Sequence, residues 1–312
     1  MSARSWRDRR DRVHGIGRRI GRLTAEFAAA LGPAPRPTAA ILVLGMHRSG
    51  TSALTRIVNL VGVPVGQEDD LVAPDQANAR GYWESFSLSN FQDSLLARRG
   101  GSWGEPPSLP SGWERDPRLL LELGQGRRIV RRIYAGQLVW VWKDPRTSLT
   151  LPFWQRALST RILALIIHRN PLEVAYSLIA RDGVPIQQAL ALWEHYNRAL
   201  LANTAGLPAF VTSYETLIDN PVGVARSIGA FLSQHGVPIL EVPDDDVNLF
   251  VDRKLRHAAV SEEDYRRNTN VTESQRELSK LLRSLEGAHS KLKVVLTDPA
   301  DRGPCPARDL EL

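Results

Sequence analysis

Between Gly45 and Gly50 the chain reads Gly-Met-His-Arg-Ser-Gly, and Thr51-Ser52 follows at once. A tight turn with a glycine at each end points successive backbone N–H groups at an anion, and a helix starting behind it adds its positive end. The spacing is that of a phosphate-binding loop, Gly-x4-Gly. The position that carries lysine in a nucleotide triphosphatase, however, is Thr51, and the cation stands inside the loop as Arg48. A guanidinium fork working with backbone amides can hold a phosphate without an obligatory metal ion. Two further sets of cations follow apolar runs: Lys143-Asp144-Pro145-Arg146, and Arg169.

These groups need elements to position them. Ile41 to Leu44 is a short apolar run rich in β-formers, as in a strand buried on both faces. Thr51 or Ser52 can cap a helix whose apolar positions Leu54, Ile57, Val58 and Val61 recur at three- and four-residue steps. Val63 to Gly66 reads as a short second strand, Leu138 to Trp142 and Arg161 to His168 as buried strands, and Ala209 to Tyr214 as another. Helices are expected over Ser87–Arg99, Leu119–Ala135, Leu172–Arg181, Ile186–Leu201, Val222–Leu232 and Thr272–Leu285. Pro171 suits the first position of its helix. The alternation predicts an α/β fold with a central, mainly parallel sheet flanked by helices. In such sheets ligands bind at the carboxyl ends of strands, so the glycine loop, Lys143–Arg146 and Arg169 should share one rim.

The stretch GMHRSGTSAL resembles the 5′-phosphosulfate loop of sulfotransferases that use 3′-phosphoadenosine-5′-phosphosulfate (PAPS). LALIIHRNPLEVAYSL, Leu163 to Leu178, is similar to the same family's 3′-phosphate element, and SYETLIDNP resembles the segment after its last core strand. The resemblance covers roughly residues 38 to 290 and implies the P-loop-type three-layer fold. It implies that His47, Arg48, Ser49, Gly50, Thr51 and Ser52 hold the phosphosulfate end, with no metal required. Arg169 and Ser177 would hold the 3′-phosphate, helped by the basic stretch Arg253, Lys254, Arg256 and His257, of which Arg256 is the expected contact. Arg48 would clamp the leaving phosphate and its bridging oxygen. Lys143 matches the lysine that cytosolic members place before a catalytic histidine, but Pro145 stands where that histidine would be. The base must then be a carboxylate: Glu84 in GYWES leads, with Glu68, Asp70 and Asp144 as rivals. The function implied is transfer of a sulfonate group to an acceptor hydroxyl, expected on a saccharide or glycolipid. A P-loop kinase, or a non-catalytic nucleotide-binding relative, is the alternative.

Composition sets wider bounds. The chain has 312 residues, 43% apolar and 24% charged, as in an ordinary globular protein. Its net charge of +6 sits in residues 1–36, which hold nine arginines against Asp8, Asp11 and Glu26. A nucleic-acid binder would carry its basic excess on the folded domain, so no nucleic acid is expected. Val13, Ile16, Ile20, Leu23, Phe27 and Leu31 form a helical stripe amid these arginines. Such a helix can touch an anionic membrane peripherally or dock on the domain. Pro33, Pro35 and Pro37 make a stiff linker, giving the divisions 1–37, 38–290 and a tail, 291–312. No run of eighteen apolar residues spans a membrane, and residues 1–30 lack the core of a secretory signal. The single cysteine, Cys305, allows no internal disulfide framework, so a reducing cytoplasm is expected. Residues 100–118, with Trp103 and Trp113, read as a long aromatic loop too irregular for the core, placed to cover a site.

Overall fold

The computed structural model describes residues 37–73, 81–251 and 259–294. The expected arginine-rich N-terminal helix, the basic stretch containing Arg256 and the end of the chain, including Cys305, fall outside the described residues.

Strand β1, Ala39–Leu44, is buried along its whole length. It pairs in parallel with β2, Val139–Lys143, on one side and with β3, Arg161–His168, on the other. Beyond β3 lies β4, Ala209–Ser213, also parallel, and the antiparallel β5, Gly287–His289, closes that edge. The order is therefore β2-β1-β3-β4-β5. Side chains alternate across a strand, and here the alternation builds two cores. Ala40, Leu42, Leu44, Trp140, Trp142, Ala164 and Ile166 face one, and Ala39, Ile41, Val43, Val141, Leu163, Leu165 and Ile167 face the other. Helices over Phe86–Arg98, Leu120–Ile133, Thr147–Ala157, Pro171–Asp182, Ile186–Thr204 and Glu273–Ser284 bury their apolar faces in the first core. Those over Thr51–Leu60, Tyr214–Asp219, Pro221–Gln234 and Asp244–Phe250 line the second. The result is a three-layer α/β fold, as expected.

Several local expectations are corrected. Val63–Gly66 is no strand among the described residues. Pro64 has no N–H to give a ladder, and the segment meets β2 through a backbone hydrogen bond in which Val141 N donates to Pro64 O at 2.9 Å. The helix at residue 51 is capped by Gly50 in the left-handed region, not by a Thr51 or Ser52 side chain. The loop over residues 100–118 contributes to the core after all: Trp113 opens a 3-10 turn and stacks on Phe153. Thr147–Ala157 is a helix the sequence hides, because Pro152 lies inside it. Proline removes the bond to the Ser148 carbonyl, and Asn203 Nδ2 supplies it instead at 2.9 Å.

Candidate functional site

The glycine loop is built where expected, at the carboxyl end of β1. A Cβ at Gly45 would run into the Ile167 carbonyl, so the loop can pass β3 this closely only with glycine there. Ser148 Oγ accepts from Gly45 N at 3.2 Å and ties the loop to the strand end beyond Lys143. Gly50 has φ 93°, and a side chain there would strike the Tyr214 ring. The helix that follows leaves its first N–H groups without intrahelical acceptors. Ser49 is buried, and its Oγ has no partner among the described residues. An anion in the loop fits this set of donors.

Arg48 itself sits at φ 66°, a conformation that costs a non-glycine residue energy and persists only where the surroundings fix it. They do so from the stretch that follows β3: Arg48 Nε donates to Ser177 Oγ at 2.8 Å, and Arg169 Nη1 donates to the Arg48 carbonyl at 3.1 Å. Arg169 also lies 4.3 Å over the Tyr214 ring and donates through Nε to Glu173 at 2.8 Å. Asn170 caps the next helix and Pro171 opens it, which is why the chain turns sharply after Arg169. Burial lowers the pKa of Arg48, and Arg181 nearby adds to that effect. The two stretches, 129 residues apart at the Arg48–Ser177 bond, thus meet at one rim.

GYWES joins the same rim. Ser52 Oγ donates to the Tyr82 carbonyl at 3.1 Å, and Trp83 is buried with φ 56°. Glu84 forms an ion pair with Lys143, whose side chain is 1% exposed against 14% for the carboxylate. The other acids are differently employed. Asp70 accepts from the hydroxyls of Ser85 and Ser87, and Glu68 is exposed in a 3-10 turn. Asp144 accepts from Arg146 N at 2.9 Å and Nε at 2.8 Å, and burial raises its pKa. Arg146 also pairs with Asp93.

Sequence reasoning missed the surroundings of His47. Its ring lies 4.8 Å from that of Trp103 and 5.6 Å, edge-on, from that of Tyr196. Tyr196 in turn donates to the Trp103 carbonyl at 2.9 Å. The imidazole pKa falls well below the usual 6.5, first from desolvation and then from Arg146, Arg181, Lys143 and Arg48. His47 is therefore neutral near pH 7, and its buried Nε2 has no partner among the described residues. Nothing local in the sequence links residues 47, 103 and 196. The expected contact at Arg256 lies outside the described residues.

The chain matches no family model and no curated protein. It is similar to solved structures of low identity. One is the sulfotransferase domain from the curacin biosynthetic pathway, at 15% identity and a TM-score of 0.43, covering 80% of this chain and 99% of that one. Another is the sulfotransferase domain from the Synechococcus olefin synthase, at 19% and 0.42, covering 81% and 97%. A third is a sulfotransferase from Mycobacterium tuberculosis, at 15% and 0.37, covering 86% and 84%.

Proposed function

We propose that the chain is a PAPS-dependent sulfotransferase acting on a hydroxyl of a saccharide or glycolipid. The observation that carries this reading is the junction of Arg48, Ser177 and Arg169, which joins the two stretches that resemble the family's nucleotide-binding motifs. His47, Arg48, Ser49, Gly50, Thr51 and Ser52 would hold the phosphosulfate end, and Arg169, Ser177 and Arg256 the 3′-phosphate.

PAPS supplies the sulfonate group and a leaving phosphate. The chain's own residues have four tasks. Arg48 meets negative charge on the phosphate side; an arginine keeps its proton, so it acts as a clamp and not as an acid. Lys143 offers a second cation at the adjacent strand end. Glu84, paired with that lysine, is the carboxylate we assign to remove the acceptor's proton. Trp103, packed on His47, would shield that side of the loop from water. The aromatic loop and the glutamate in place of a histidine favour a saccharide over a planar phenol.

The single cysteine favours a reducing cytoplasm. Among the described residues no helix is long and apolar enough to cross a membrane, and peripheral contact would fall to residues 1–37. The test is transfer of 35S from labelled PAPS to a panel of glycans, glycolipids and phenols. Label on a glycan or glycolipid supports the proposal. Label on phenols alone removes the acceptor class, and label on nothing in the presence of bound nucleotide favours a non-catalytic relative.

A further inference from the structure

Glu173 is completely buried, yet it carries a carboxylate whose two oxygens serve two different parts of the chain. Oε2 accepts from Arg169 Nε at 2.8 Å, and Oε1 accepts from the backbone N–H of Val260 at 3.1 Å. Val260 follows shortly after the basic stretch that ends at His257. Arg169 passes the connection on, because its Nη1 holds the Arg48 carbonyl at 3.1 Å. A continuous line of hydrogen bonds therefore runs from Val260 through Glu173 and Arg169 to the phosphate loop.

Burying such an ion pair is a poor way to gain stability, since desolvation offsets most of the attraction and an apolar pair would pack as well. What the pair does supply is orientation. The guanidinium is planar, and three of its sides are fixed by Glu173, by the Arg48 carbonyl and by the Tyr214 face at 4.3 Å. With the plane held by these contacts, Nη2, which takes part in none of them, is set in place as a donor.

We infer that Glu173 is a positioning residue for 3′-phosphate recognition: it aims Arg169 and pins the chain at Val260 beside it, so that preference for a 3′-phosphorylated nucleotide depends on a carboxylate that touches no ligand. This rests on the nucleotide reading above. The geometry sets the direction of the effect against simple electrostatics. Removing a negative charge near a phosphate site should strengthen anion binding if charge alone mattered, whereas loss of aim should weaken it.

The experiment is calorimetry on the full chain with 3′-phosphoadenosine 5′-phosphate and, separately, adenosine 5′-phosphate. The native chain and the variants Glu173→Gln and Val260→Pro are compared. Glutamine keeps the shape but has one carbonyl oxygen for two donors, and proline removes the backbone N–H together with the valine side chain, which packs on the first core, and fixes φ. The native chain is expected to prefer the 3′-phosphorylated nucleotide. Glu173→Gln should cut that preference about tenfold, the worth of one charge-assisted hydrogen bond, and leave adenosine 5′-phosphate affinity within about threefold. Val260→Pro should cut it in the same direction, and it carries the test alone if the first variant fails to fold. A merely structural role would weaken both nucleotides together. An unchanged or increased preference in a folded variant overturns the inference while leaving the nucleotide reading intact. A native chain with no preference overturns both.

Discussion

Replacing Glu84 by glutamine separates two roles that the same carboxylate can play. The substitution keeps the side chain's shape and one acceptor for the Lys143 ammonium but removes the negative charge. Lys143 is 1% exposed, so its charge would lose its counterion in a nearly dry place. Breaking a fully buried pair costs about 3–5 kcal/mol. Glu84 keeps some solvent contact and glutamine still accepts a hydrogen bond, so about 1–3 kcal/mol is expected here. Against a stability of roughly 5–15 kcal/mol the variant stays folded. Urea denaturation of Glu84→Gln, Lys143→Met and the double variant measures the pairing. The double should recover at least about 1 kcal/mol relative to the sum of the singles. If Glu84 also removes the acceptor's proton, turnover with labelled PAPS should fall about 10²–10⁴-fold while nucleotide affinity stays nearly constant. Near-normal turnover would take Glu84 out of the role and turn attention to Glu68. A parallel loss of nucleotide affinity would mean that it serves only to hold Lys143.

Arg169→Ala removes the contacts to Glu173, to the Arg48 carbonyl and to the Tyr214 face together. It should weaken 3′-phosphoadenosine 5′-phosphate about ten- to a hundredfold and adenosine 5′-phosphate much less; equal losses would make Arg169 a support of the fold. His47 is held neutral in the folded chain, with a pKa below that of the unfolded chain. The unfolded chain therefore binds more protons below about pH 6.5, and stability is full above that pH and falls as the pH drops, by at most about 1.4 kcal/mol per unit from this group. His47→Asn should flatten the dependence of melting temperature on pH between about 6.5 and 5, and an unaltered slope would refute the assignment.

What could be read from the sequence was local. The run Ile41–Leu44 announces a strand because a strand buried on both faces needs no polar alternation, and all six residues of β1 are indeed buried. The turn after Arg169 was legible because Pro171 suits the first position of a helix, whereas the cap that Asn170 supplies emerged from the structure. Ser177 was legible only through the resemblance, and the structure brings it to Arg48 instead of leaving it beside Arg169 alone. What was hidden depended on distant partners. The helix containing Pro152 relies on an amide from Asn203, and the pairing of Glu84 with Lys143 joins residues 59 apart. The enclosure of His47 by Trp103 and Tyr196 likewise has no signature at any fixed spacing.

The central claim is that a loop with its cation at Arg48, and threonine in place of the triphosphatase lysine, binds a 3′-phosphorylated adenosine nucleotide without a metal ion. Calorimetry with 3′-phosphoadenosine 5′-phosphate in excess EDTA tests it most directly. Binding of undiminished strength, tighter than that of ATP measured under the same conditions, is the predicted result. Binding that appears only when magnesium is added, or ATP bound equally well, would contradict it.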